Sequence, residues 1–233
     1  MKKIEYSFKL KDETLDFSVD ITRHSQKSEG QGVEWTKLSY HQCHQCPLSE
    51  KDHPNCPVAM DVKEIVSGFS KLLSYDTADI VVKTEERDYH KECDIQTGLK
   101  ALLGLVMATS ACPILSTFRG MAQFHLPFAT IDETVVRTVS FFLLKKYFDA
   151  EDNEEHTVTS DLSELVDLYK TLGEVNASFI KRVRAAVEYD ANLNAILNLH
   201  ADSTILTQDL KELLEELRPL LETYGKISVK KAS

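Results

Sequence analysis

Ile4-Glu5-Tyr6-Ser7-Phe8-Lys9-Leu10, then the polar run Lys11-Asp12-Glu13-Thr14, then Leu15-Asp16-Phe17-Ser18-Val19-Asp20-Ile21: apolar and polar side chains alternate on both sides of a short polar break. Successive side chains of a strand point to opposite faces, so each alternating stretch predicts a strand with one buried face. The polar run between them predicts the turn of an antiparallel hairpin. Such a sheet leaves an apolar face to be covered, and the rest of the chain reads as the cover.

Residues 23–32 read as a polar loop and 33–40 as a third strand. Residues 41–57, rich in Cys, His and Pro, have no regular period. The period then changes to 3.6 residues, with Val62, Ile65, Val66, Phe69, Leu72 and Leu73 predicting an amphipathic helix. Residues 79–84, centred on Ile80-Val81-Val82, predict a strand returning to the sheet, and 85–92 a solvated strand end and turn. Leu99, Leu102, Leu103 and Val106 mark a largely apolar helix ending before Pro113. Thr130-Ile131-Asp132-Glu133 is a capping box for a helix running towards Phe148. Residues 149–156 read as an acidic loop. Leu162, Leu165, Val166, Tyr169 and Leu172, continuing through Phe179, Ile180 and Val183, predict a long helix bent near Gly173. Leu210, Leu213, Leu214, Leu217, Leu220 and Leu221 predict the last one, with Gly225 as its stop. Asp190, Asn192 and Asn194 read as capping residues ahead of Ile196 and Leu197. The fold class is therefore α+β: an N-terminal antiparallel sheet with a Cys/His metal loop, followed by a mostly helical portion. Residues 1–233 read as a single domain, with a subdivision near residue 150 as the alternative.

Composition narrows the function classes. The chain has 233 residues, 42% hydrophobic and 27% charged, with a net charge of −10, enough apolar content for a core and the wrong sign for coating nucleic acid or anionic lipid. The charge is uneven: residues 1–149 carry 18 basic and 21 acidic groups, 150–233 carry 9 and 16. Residues 101–118 are uncharged but crowded with Thr109, Ser110, Cys112, Pro113, Ser116 and Thr117, so a core helix is expected and not a membrane span. Charges at Glu5, Lys9 and Lys11 leave no apolar stretch for a secretory leader, and the cytoplasm is the expected compartment. Five cysteines, an odd number, exclude a fully paired disulfide set within one monomer.

The sharpest chemical signal is His41-Gln42-Cys43-His44-Gln45-Cys46-Pro47, continuing to His53-Pro54-Asn55-Cys56-Pro57. A two-residue gap between Cys43 and Cys46 lets both sulfurs face one ion, as in a zinc knuckle. Prolines 47, 54 and 57 stiffen the loop, so less chain entropy is lost when an ion closes it. Zinc suits mixed thiolate and imidazole ligands. Cys43, Cys46 and Cys56 are the expected thiolate ligands and His53 the fourth, with His41, His44 or Cys112 as alternatives and Cys93 as a more distant one. An iron–sulfur cluster, which needs a fourth cysteine such as Cys112, is the other metal reading. A redox-active Cys43–Cys46 pair and an inert reduced loop are the metal-free readings.

Arg119 is the one charge in residues 101–131. Near it lies His125, flanked by Phe124, Leu126 and Phe128. Glu133, a turn before Arg137, is the expected partner for Arg119 or His125 in a buried ion network. The functional reading is a pocket in which Arg119 and Arg137 hold a small anion and His125 moves protons. Ser110 and Cys112 are nucleophile candidates by proximity alone.

Cys43-x-x-Cys46-Pro47-Leu48, Cys56-Pro57-Val58-Ala59, Ser110-Ala111-Cys112-Pro113, Phe124-His125-Leu126-Pro127-Phe128 ahead of Glu133 and Arg137, and Asp190-Ala191-Asn192-Leu193-Asn194-Ala195 together resemble an uncharacterised bacterial family of unknown function. Ala111 stands where that family is expected to have glycine, which alters the turn before Cys112. The resemblance implies a soluble bacterial protein and carries no activity or cofactor. The leading expectation is a zinc-stabilised, non-enzymatic binding or regulatory protein with a protein or small-anion partner. The competing expectations are an enzyme built on His125, Arg119, Glu133 and Arg137, and a thiol redox sensor.

Overall fold

The computed structural model describes residues 2–23, 31–153 and 159–222. The alternating stretches form β1 (Lys3–Lys9) and β2 (Thr14–Asp20), paired antiparallel with Tyr6 opposite Phe17. β3 (Thr77–Lys83) pairs with the other edge of β1, and β4 (Asp88–Asp94) with β3, giving the antiparallel order β2-β1-β3-β4. Ile4, Tyr6 and Phe8 share a face with Ala78, Ile80 and Val82, and all six are buried. The one-faced sheet read from the sequence is thus what forms.

Against that face lies α3 (Ile95–Thr109), started by Asp94, whose carboxylate accepts the Thr97 N–H at 3.0 Å. Its close approach depends on Gly98, where a Cβ would stand 2.9 Å from a ring carbon of Phe8. α1 (Pro57–Asp61) and α2 (Lys63–Gly68) cover the β2 end of the core. After α4 (Arg119–Gln123) come α5 (Ile131–Asp152), α6 (Ser163–Val183), α7 (Ala191–Gln208) and α8 (Leu210–Glu222). The capping box of α5 is complete: Thr130 Oγ1 accepts the Glu133 N–H at 3.2 Å and the Glu133 carboxylate accepts the Thr130 N–H at 2.8 Å.

Several expectations change. Residues 33–40 do not form a third strand: Glu34–Thr36 is a 3-10 turn, and only Lys37 makes a β-bridge, to Asn55. The Thr36 hydroxyl causes this, accepting the Val33 N–H and donating to the Val33 carbonyl, both at 2.8 Å, which closes a local turn in place of a ladder. The helix expected through 62–73 is shorter: α1 precedes it, starting at the last residue of the stretch expected to have no regular period, and α2 ends at Gly68 with Phe69, Leu72 and Leu73 beyond it. The carbonyls of Ser70 and Leu72 are taken there by amides of Glu188, Tyr189 and Ala191, a tertiary contact invisible to local periodicity. Residues 88–92, read as part of a turn, belong to a full strand. The turn is confined to residues 84–87, where Thr84 Oγ1 accepts the amides of Glu86 and Arg87. α5 continues to Asp152 through part of the expected acidic loop; residues 154–156 of that loop lie outside the described residues, as do most of the 23–32 loop and Gly225.

Candidate functional site

The Cys-rich loop is held at both ends. Leu38 N–H donates to the Pro54 carbonyl at 2.9 Å and Cys56 N–H to the Thr36 carbonyl at 2.8 Å. Near its middle, Gln45 Nε2 reaches Glu174 of α6 at 2.8 Å. The Cys43–Cys46 turn closes with the Cys46 N–H on the Cys43 carbonyl at 3.1 Å.

Two Cys-Pro segments far apart in sequence have the same local form. Cys56 precedes α1, with Pro57 in its first turn, and the Met60 N–H donates to the Cys56 carbonyl at 3.0 Å. Cys112 precedes a 3-10 turn (Leu115–Phe118), and the Ser116 N–H donates to the Cys112 carbonyl at 2.9 Å. In each, the amides two and three residues on, Val58 and Ala59 or Ile114 and Leu115, favour the thiolate. At Cys56 they do so without a full cap hydrogen bond. Proline at this position is preset for the turn and has no N–H to lose.

The thiols of Cys43, Cys46, Cys56 and Cys112 lie close enough to act on one another. Cys43 is pushed up to about 11, first by burial and then by the nearness of Cys56, Cys112 and Cys46, with Arg182 acting in the opposite sense. Burial raises Cys56 and Cys112 as well; Arg182 opposes this at Cys56, and Cys56 and Cys46 add to it at Cys112. Arg182, on α6, is 2% exposed. It donates to three carbonyls, of Trp35 at 2.7 Å, Lys37 at 2.5 Å and Leu38 at 3.2 Å, and to no described carboxylate. A buried cation with carbonyl dipoles but no counter-ion among the described residues therefore lies near a group of ionisable thiols.

The fourth cysteine beside Cys43, Cys46 and Cys56 is thus Cys112. His41 and His44 are exposed, and His41 sits at φ 48°, its ring edge-on to Tyr40. His53 is half-buried at the foot of the loop. Cys93 is apart on β4, with Lys91 and Asp94 as the charges acting on it. Among the described residues no three Cys, His, Asp or Glu side chains are placed to hold a single metal ion.

A second feature is a cavity of about 410 Å³ between α3, the α4–α5 segment, α6 and α7. It exists because α3 presents Ala101, Gly104 and Ala108 to it, small residues one helical turn apart. His125 and Arg137 line it; Arg119 and Glu133 do not. Arg119 donates to the carbonyls of Thr109 (3.3 Å) and Ser110 (3.1 Å), closing the end of α3, and Glu133 serves its capping box. The expected ion pair of Glu133 with Arg119 or His125 is not made; Glu133 acts on Arg137 through charge alone. Arg137 donates to the carbonyls of Met121 (3.1 Å) and Phe124 (3.0 Å).

His125 Nε2 lies 2.5 Å from the hydroxyl of Tyr6. Burial, then the charge of Arg137, pulls its pKa down to about 3, and burial pushes Tyr6 well above its usual value. Both groups are neutral near pH 7, and the buried phenol has no other described partner. The Tyr6 O–H therefore donates to Nε2, leaving the ring proton on Nδ1. An imidazole held neutral so far below its ordinary range is a poor proton donor at neutral pH.

Two residues of this region escaped the sequence reading. Arg182 could have been found as a charge on an apolar helical face, since it falls in register with Val175, Phe179 and Val183. Asn176, 1% exposed, lines the cavity with its Oδ1 unpaired among the described residues, and nothing local in the sequence distinguishes it. No described helix is long and apolar enough to cross a membrane.

The chain belongs to the family described as a domain of unknown function (DUF6901), which it matches over residues 3–222. No curated protein and no solved structure matches it.

Proposed function

We propose that this member of a family without an assigned activity is a metal-stabilised, non-enzymatic binding protein whose centre uses Cys43, Cys46, Cys56 and Cys112. One observation carries the reading: three separate stretches of chain bring four thiols together beside Arg182, a buried cation with no described carboxylate. Four thiolates around a divalent ion leave two negative charges, and Arg182 offsets one of them. The amides of the two Cys-Pro turns add donors that favour thiolate over thiol. A bound ion would join the loop, α1 and the end of α3, so its binding free energy would also be folding free energy. Zinc is the first candidate by ligand chemistry, since it takes four sulfurs in a tetrahedron. Binding it would have to draw the thiols closer, because no three ligating side chains among the described residues stand at the spacing of one ion.

An iron–sulfur cluster is the second reading, and a specific observation favours it. The four thiols influence one another, yet no three ligating side chains among the described residues share the radius of one ion. A cluster of several irons takes its cysteines at a wider spacing than one zinc does.

Elemental analysis of protein purified without chelator tests both. About one zinc per chain, or iron with acid-labile sulfide and a broad visible absorbance, is the expected result, lost together with thermal stability in Cys112→Ser. Less than about 0.3 equivalent of any transition metal, with Cys112→Ser as stable as the parent, rules the centre out.

A further inference from the structure

The cavity between α3 and the α6–α7 pair has an asymmetric lining that defines a ligand class, independently of any metal. Its walls are mostly aliphatic and aromatic, with Leu105, Leu115, Phe118 and Leu199 beside the small-residue stripe of α3. Its charged groups are Lys91, Lys100 and Arg137 against a single carboxylate, Asp202. Asp202 is already committed to Lys100 at 2.9 Å. Lys91 sits 5.8 Å over the Phe128 ring, and Arg137 donates only through Nη2, to backbone carbonyls, leaving Nε and Nη1 without a described partner. In a chain of net charge −10, this is a local cationic lining around an apolar space.

We propose that this cavity binds a medium-chain aliphatic carboxylate, its head at Arg137 and Lys91 and its chain along Ala101, Gly104 and Ala108. Three features support the assignment. The volume lies in the range of small-ligand sites, which bury an apolar body and orient it with a few polar groups. Arg137 keeps Nε and Nη1, each free to give a single charge-assisted hydrogen bond to a carboxylate oxygen. Filling the space with alkyl chain removes apolar wall from water, the largest favourable contribution available to such a site.

Isothermal titration calorimetry on the full chain tests this with decanoate, decanol and acetate. Decanoate should bind saturably, decanol about ten-fold more weakly or worse, and acetate not detectably. Ala101→Leu should abolish decanoate binding by filling the cavity. Lys91→Gln, on an exposed position of β4, should weaken decanoate while leaving decanol unchanged. Arg137→Gln should do the same more strongly; if it fails to fold, because its carbonyl bonds are lost, the other two variants decide. Equal affinity for decanoate and decanol, no saturable decanoate binding, or unchanged binding in Ala101→Leu overturns the proposal.

Discussion

His125 illustrates how one side chain converts burial into a pH dependence. Its imidazole accepts the Tyr6 hydroxyl at 2.5 Å and faces the charge of Arg137, and it is held neutral down to about pH 3. In the unfolded chain the same group titrates near its ordinary value of about 6.5. Between those limits the unfolded state binds the extra proton and the folded state does not. Stability from this group is therefore complete above about pH 6.5 and falls as the pH is lowered towards 3, at up to about 1.4 kcal/mol per pH unit. Chemical denaturation between pH 7 and 4 checks this. The parent should lose stability steeply on acidification, and His125→Gln, which keeps an acceptor for Tyr6 without a titrating ring, should show a shallower slope. Identical slopes would place the acid sensitivity on carboxylates instead.

At the scale of elements, the seating of α3 on the sheet depends on the missing side chain at position 98. A Cβ there meets Phe8 and the Cδ1 of Ile80, both fully buried, so neither can turn out to solvent. Gly98→Ala gains about 1 kcal/mol in helix propensity but overpacks the interface at a cost of about 1–3 kcal/mol. The net expectation is destabilisation. Ile80→Val removes the offending methyl and alone costs about 0.5–1.5 kcal/mol. The double variant should then be more stable than the sum of the two changes by at least about 0.5 kcal/mol, measured by urea unfolding. Strict additivity would mean that α3 shifts bodily instead of meeting Ile80. The same helix shows what the sequence could and could not disclose. Its apolar face, its end before Pro113, the alternation of β1 and β2 and the capping box of α5 are local patterns, and each is legible from side-chain period or cap chemistry. The proposed centre is legible only in part: Cys43, Cys46 and Cys56 share one short segment, whereas Cys112 follows the end of α3 and only the tertiary fold brings it near Cys56 and Cys46. Arg137 and His125 were singled out and do line a cavity. Arg119 and Glu133 were grouped with them by proximity in sequence, and their partners turn out to be a helix end and a cap. The failed strand at 33–40 has the same origin, since one Thr36 hydroxyl outweighs a weak β pattern.

At the scale of the whole molecule, the described residues form two apolar clusters, and the helices do not divide between them. The first joins the inner face of the sheet to α1, α2, α3, the C-terminal half of α6 and the N-terminal half of α7. The second gathers Val135 of α5, Leu165 and Tyr169 of α6, Leu206 of α7, and Leu210 and Leu217 of α8. α6 and α7 each have one half in each cluster, and Leu172 packs against both. The cavity lies along this seam, with Leu105, Leu115 and Ala122 of the first cluster and Tyr169 and Leu206 of the second among its walls. Opening the second cluster alone would strip apolar cover from half of each shared helix, whose other half must stay folded to hold the sheet. Helix propagation is cooperative over such lengths, so the intermediate would keep the entropic cost of two ordered helices while losing much of their burial. The two clusters should therefore unfold together. Trp35, the single tryptophan, packs against the first cluster, whereas far-ultraviolet ellipticity is dominated by helices that serve both. Urea transitions followed by Trp35 fluorescence and by ellipticity should coincide, and one midpoint should describe both. A helical signal lost at lower urea than the Trp35 signal would show that the shared helices do not couple the clusters, and that the second one opens by itself.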